Sequence, residues 1–234
     1  MIGIYGANYK IAILMSIFIQ AFRYAAEPYF FQQNKEADSR KNYVRVMNYF
    51  VIFCGFIFLF VMLYINIFKH FLRSAEYWQG LSIVPLIMLA NIFLGIYVNL
   101  SMWYKLSGQT LFGAWFSLVG TAVTIGFNYY FIPKWGYMAS AWATILAYFS
   151  MMVVSYIFGQ KYFPIPYNIK KIAFFIILAW LLYYISHLLP FDNPALLFLI
   201  NTLLFFPYFY AVYLFDKPIR DFIQKLMMKY GIRR

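Results

Sequence analysis

Residues 77–104 read YWQGLSIVPLIMLANIFLGIYVNLSMWY, 28 positions without one Asp, Glu, Lys or Arg. As an α-helix rising about 1.5 Å per residue, the run is longer than a roughly 30 Å hydrocarbon core requires, since about 20 apolar residues suffice. The pattern recurs along the chain. Windows 46–68, 106–133, 135–160, 172–191 and 193–215 are likewise free of formal charge. A further apolar stretch, 5–31, is as long but carries Lys10, Arg23 and Glu27. Composition agrees: of 234 residues, 65% are hydrophobic and 11% charged, against about 45–50% and 25% in soluble globular chains. A soluble domain of this size has too little interior to hide that much apolar surface. The reading is an all-α polytopic membrane protein with about seven transmembrane helices. A transmembrane β-barrel is excluded, because its strands read as segments of about 10 residues with alternating polarity.

The positive charges then orient the chain. Connections 32–45, 104–109, 161–171 and the tail 216–234 hold 14 of the 19 Lys and Arg, among them Lys35, Lys105, Lys171, Arg233 and Arg234. The opposite connections hold four: Lys10, Lys69, Arg73 and Lys134. Arg23 lies within a span. The first set is read as cytoplasmic, which puts the C-terminus inside and the N-terminus outside. Residues 1–10 lack a basic n-region and a cleavage site, so they are not a signal peptide. Short tails can be translocated without one, but a preceding helix explains this topology more simply. The expectation is the C-terminal part of a longer transporter.

Charge and cysteine usage exclude other classes. The net charge of +12 sits in membrane loops and the tail, as the positive-inside rule produces, so no nucleic-acid partner is expected. Cys54 is the single cysteine and has no disulfide partner; inside a span it reads as a packing residue. The sequon-like Asn99-Leu100-Ser101 lies within a span and carries no meaning. A seven-helix retinal pigment needs a mid-membrane Lys in its last helix, and 196–215 has none. His70, His187 and Asp192 fall near the outer surface without metal-binding or nucleophile motifs. The chain is therefore read as no enzyme, with no catalytic residue, metal site or cofactor.

Charge inside the membrane is costly, about 2.5–3.5 kcal/mol per residue on insertion scales. Ser16, Gln20, Arg23 and Glu27 recur at helical spacing on one face of the first span, with Tyr24 beside them. Either this face walls a hydrophilic cavity where Arg23 grips an anionic headgroup through its forked donors, or Arg23 and Glu27 are a structural pair near the cytoplasmic surface. Ser117, Thr121, Thr124 and Asn128 form an uncharged stripe, and Asn91 and Asn99 lie two turns apart. Such residues line pathways or bond between helices. Ala139, Ala143 and Ala147, with Gly113 and Gly120, read as close-packing positions. Pro28, Pro85 and Pro207 are hinges or tolerated kinks. Trp78, Trp103 and Trp135 are placed in an interfacial belt.

After Asp216 and Pro218, a good helix start, Ile219, Phe222, Ile223, Leu226, Met227 and Tyr230 follow helical period, with Arg220, Lys225 and Lys229 off the stripe. This tail is expected to lie on anionic membrane lipid. The chain thus divides into five helices in 1–160, two more in 161–215 and a basic amphipathic cytoplasmic tail in 216–234.

One pattern resembles a known family. Tyr104, Lys105, Ser107, Gly108, Gln109 and Thr110 lead into a helix closing on Asn128 to Pro133; Gly136, Ala139, Ala141, Ala143 and Thr144 open the next. Locally, Pro133 stops one helix and Gly136 allows the turn. Together with Gly3, Tyr5, Tyr9 and Lys10, and with Ala26, Glu27 and Pro28 closing the first helix, this looks like the C-terminal half of the polysaccharide biosynthesis and O-antigen flippase family. That family belongs to the superfamily that includes the multidrug (MATE) exporters. The resemblance covers essentially the whole chain. It implies two helical bundles around a central cavity, this chain supplying the second bundle plus two trailing helices and needing an N-terminal half as partner. It further implies transport of a polyprenyl-diphosphate-linked oligosaccharide across the bacterial cytoplasmic membrane by alternating access. On that expectation Arg23 contacts diphosphate, Gln20, Thr124 and Asn128 contact headgroup or water, and Glu27 tunes Arg23 or carries a coupling proton. The alternatives are a drug or metabolite exporter of the same superfamily, or a non-transporting scaffold such as a partner of a glycan polymerase.

Overall fold

The structure, a computed structural model, describes residues 2–33, 39–189 and 193–229. Lys35, Asp192, Tyr230, Arg233 and Arg234 lie outside the described residues, as do the side chains of Ile223, Leu226 and Lys229. The chain forms α1 (Ile2–Gln33), α2 (Ser39–Leu63), α3 (Ile65–Phe68), α4 (Val84–Leu100), α5 (Met102–Leu106), α6 (Leu111–Trp135), α7 (Tyr137–Tyr162), α8 (Ile169–Leu188), α9 (Pro194–Leu203), α10 (Phe205–Phe215) and α11 (Lys217–Lys229). Short 3-10 segments, Lys69–Phe71 and Ala75–Ile83, precede α4. No strand occurs among the described residues. Seven helical stretches are long and apolar enough to cross a membrane: Gly3–Gln33, Ser39–Leu63, Ala75–Leu106, Leu111–Trp135, Tyr137–Tyr162, Ile169–Leu188 and Ala195–Phe215. The protein is an all-helical, polytopic membrane protein.

The core follows from which face of each helix is apolar throughout. Met15, Phe50, Phe58, Ile87, Phe175 and Tyr208 are all but fully buried, and they join α1, α2, α4, α8 and α10 in one cluster. A second cluster around Tyr97, Trp103, Tyr104, Phe116 and Met151 ties α4 and α5 to α6 and α7. Small residues set the closest approaches. Ala139, Ala143 and Ala147 are buried along α7, and a Cβ at Gly120 would meet Met151 Sδ at 2.4 Å.

A Cβ at Gly95 would stand 2.2 Å from Cζ of Phe50, a ring locked in the core. Gly95→Ala is therefore expected to cost about 1–3 kcal/mol through overpacking. Gly126→Ala meets nothing within 4 Å, so it is expected to be neutral or to stabilise by roughly 0.5 kcal/mol through helix propensity. Thermal unfolding in detergent compares the two; equal midpoints would contradict the packing.

Several expectations change in detail. Pro133 does not stop its helix: α6 runs through it to Trp135. The stop is Gly136 at φ 56° and ψ −136°, where glycine avoids the Cβ clash. Its N–H still donates to the Ile132 carbonyl at 2.9 Å. Trp103 is no interfacial anchor. It is 2% exposed, and its indole N–H donates to the Ser155 carbonyl at 3.2 Å. Trp78 and Trp135 do sit toward surfaces: Lys69 lies over the Trp78 ring at 4.6 Å, and Trp135 is half exposed. Pro28 stays within an unbroken α1, and Pro85 occupies the first turn of α4, where its missing N–H costs nothing. Pro207 follows the break between α9 and α10 at Leu204, and its missing N–H leaves the Leu203 carbonyl without its helical donor.

Candidate functional site

α1 has two unlike faces. Ala12, Met15, Ile19, Ala26 and Phe30 are buried against the bundle. Gln20 and Tyr24 are exposed, and Ser16, Arg23 and Glu27 are partly so. A face open to hydrocarbon has no use for these groups, so they border water, a partner or a ligand.

The charged end of this stripe is a three-residue cluster. Arg23 donates from Nε to Glu27 Oε1 at 2.9 Å. Lys105 donates from Nζ to the same oxygen. One carboxylate thus meets two cations and leaves a net positive charge. Side-chain exposure is 42% for Arg23, 27% for Glu27 and 25% for Lys105, so the Arg23 guanidinium remains accessible. Lys105 reaches the cluster because α5 continues from α4 through Ser101, whose N–H still donates to the Tyr97 carbonyl at 2.8 Å, and packs against α1. By charge pattern alone Lys105 belongs to a basic connection, and its place in this cluster is a tertiary feature. Tyr104, beside it, shares a buried hydroxyl contact of 3.2 Å with Tyr97. The same phenol closes on Gly113 of α6.

α6 packs chiefly on α7 and buries only Phe116 and Gly120. Its polar face borders a cavity of about 250 Å³ lined by Ser117, Thr121 and Thr124 from α6 and by Ala147, Tyr148 and Met151 from α7. The three hydroxyls do not bond between helices. Ser117 donates to Gly113, Thr121 to Ser117 and Thr124 to Gly120, each to the carbonyl four residues back at 2.9 Å. Asn128 is not part of the cavity lining; its Oδ1 is shielded and without a hydrogen-bond partner. Asn91 and Asn99 are buried within the bundle, away from any open wall, and the Asn99 amide donates to the Gly95 carbonyl at 3.0 Å.

α6 meets the bundle through α7, and α7 packs on α4, which also carries α1.

Among the described residues no group of three His, Cys, Asp or Glu is placed to hold a metal. His70 bonds the Asn66 carbonyl at 2.8 Å, and His187 packs against Tyr183. Two structural polar links escaped sequence reasoning. Asn201 bridges Ser186 and the Leu63 carbonyl, and Tyr208 donates to the Ile52 carbonyl at 2.8 Å. No family model, curated protein or solved structure matches the chain.

Proposed function

We propose that this chain forms one wall of an alternating-access transporter that carries a polyprenyl-diphosphate-linked oligosaccharide across the bacterial cytoplasmic membrane. The observation that carries this reading is the accessible guanidinium of Arg23, held at the edge of a membrane-embedded polar face by Glu27 and reinforced by Lys105. Two cations against one carboxylate attract an anion, and a diphosphate suits the forked donors of Arg23 together with the point charge of Lys105. The lipid tail stays in hydrocarbon while the charged and sugar portions follow the polar wall. A second helical bundle, from a preceding segment or a separate chain, would close the cavity and rock against this one. A drug exporter fits less well, because a cationic drug would meet net positive charge, and Glu27 already serves two cations.

The test is complementation in cells that lack their own transporter for such a glycan. Losing a charge-assisted contact is worth about 1.5–3 kcal/mol, so Arg23→Ala is expected to cut export roughly 10–100-fold. Arg23→Glu, which reverses the charge, should abolish it. Normal export by both variants, at normal membrane levels, would overturn the reading.

A further inference from the structure

We infer that the gap between α7 and α8 binds one anionic phospholipid of the surrounding bilayer, its acyl chain inside the bundle and its phosphate at Lys161 and Lys170. The inference needs only that the chain spans a membrane. It does not depend on the transport reading, since α1 contributes nothing to the described lining. α7 packs on α4 and α6, whereas α8 packs on α2 and α10. The two barely touch, although only residues 163–168 separate them. What remains between them is a cavity of about 250 Å³. Met47 of α2 with Ile96 and Leu100 of α4 form its buried floor, and Phe149 and Tyr156 of α7 with Ile172 of α8 form its walls. The lining presents only apolar surface, so water would find no partner there; an apolar cavity of about 150 Å³ stays dry yet takes up benzene. The mouth lies at Phe149 and Ile169, 44% and 51% exposed, and in a membrane-spanning bundle it opens on hydrocarbon. Phe149 to Tyr156 is about 10 Å along α7. That length and volume suit one acyl chain, and they are too small for another helix, which is about 10–12 Å across. Charge then selects the headgroup. Lys161 stands in the last turn of α7 and Lys170 in the first turn of α8. Both are exposed, and neither has an ion-pair partner among the described residues. Lys171, next in sequence, is committed to Asp216. Lysines at the surface end of an apolar cleft between helices hold a lipid phosphate.

Native mass spectrometry of the full chain in detergent, with dioleoyl phosphatidylglycerol or dioleoyl phosphatidylcholine added, tests the site. The two lipids share their acyl chains and differ in headgroup charge. The wild type is expected to retain one phosphatidylglycerol about tenfold more tightly than phosphatidylcholine, the scale of one to two lysines beside an anionic headgroup. The double variant Lys161→Gln, Lys170→Gln changes only exposed side chains and should bring phosphatidylglycerol down to the phosphatidylcholine value. Val153→Trp, in the cavity wall, fills the space and should lose the retained lipid of either kind. Val153→Ala leaves the room and should keep it. Equal retention of the two lipids by the wild type, a preference that survives the double glutamine variant, or lipid held by Val153→Trp would each overturn the inference. So would a dimer that Val153→Trp dissociates, which would put a second copy over the cleft. Farnesyl diphosphate is the control for a cargo tail and should leave phosphatidylglycerol in place at equal concentration. Displacement by it that is lost in Val153→Trp would give the cleft to the cargo and overturn the inference without touching the role of Arg23.

Discussion

Asp216→Ala is expected to destabilise the protein by about 3–4 kcal/mol and to free the C-terminal helix. Asp216 is 2% exposed, and its carboxylate makes two unrelated contacts. Oδ2 accepts from Lys171 Nζ at 2.5 Å, joining the end of α10 to the start of α8. Oδ1 accepts from the Ile219 N–H at 3.1 Å, capping the first turn of α11. Removing the carboxylate strands a lysine whose side chain is only 15% exposed, and an orphaned buried charge is the larger loss. The lost cap adds about 1 kcal/mol. Asp216→Asn separates the two, since asparagine caps as well as aspartate but offers no charge. Its destabilisation should approach that of alanine, yet cleavage by trypsin at Arg220 and Lys225 should stay slow. Lys171→Met strands the carboxylate instead and should cost as much as Asp216→Asn. Wild-type thermal midpoints for both single variants would show that the ion pair has no structural weight.

That pair lies at the limit of what a linear reading reaches. Asp216 was legible as a helix start because Pro218 follows it, and the side-chain cap agrees. Its partner, 45 positions away, was not, because nothing local to Lys171 distinguishes it from the other lysines of its loop. The seven spans were legible for a plain physical reason: hydrocarbon thickness fixes helix length, and the absence of charge marks each window. The α1 stripe was legible through its periodicity. What joined it to Lys105 was not, since the packing of α5 against α1 is a tertiary event; a signal did exist, in that Glu27 and Lys105 both lie near the same end of their spans. The helix-internal bonds of Ser117, Thr121 and Thr124 were foreseeable, because a hydroxyl inside an apolar helix returns its proton to the carbonyl one turn back. Trp103 was misplaced because a tryptophan near a span end looks interfacial until α5 folds it under α7. Tyr208 and Gly55 explain each other only in three dimensions: a Cβ at Gly55 would stand 2.1 Å from the Tyr208 hydroxyl.

Glu27→Gln is the counterpart experiment in the charged cluster, and it should divide affinity from turnover. In the wild type Arg23 and Lys105 share one carboxylate oxygen, so the cluster carries one net positive charge; with glutamine it carries two. If the cluster receives a diphosphate, the variant should bind that group about tenfold more tightly, the scale of one charge-assisted contact. Tighter holding of a bound state does not speed a transport cycle. A site must let its cargo leave as readily as it lets it enter, and binding that is uniform through the cycle does not raise the maximal rate. Transport into proteoliposomes should therefore show a substrate half-saturation lowered about tenfold and a maximal rate lowered by a comparable factor. Arg23→Ala should do the reverse, raising half-saturation. The alternative role for Glu27 is a tether between α1 and α5. All three side chains are partly exposed, so a tether of this kind is worth less than about 1 kcal/mol. Its loss would lower stability slightly and leave half-saturation where it was. Unchanged half-saturation with an unchanged maximal rate would assign Glu27 to the scaffold, whereas opposite movements in Glu27→Gln and Arg23→Ala would make the carboxylate the group that keeps the cationic site from holding its cargo too long.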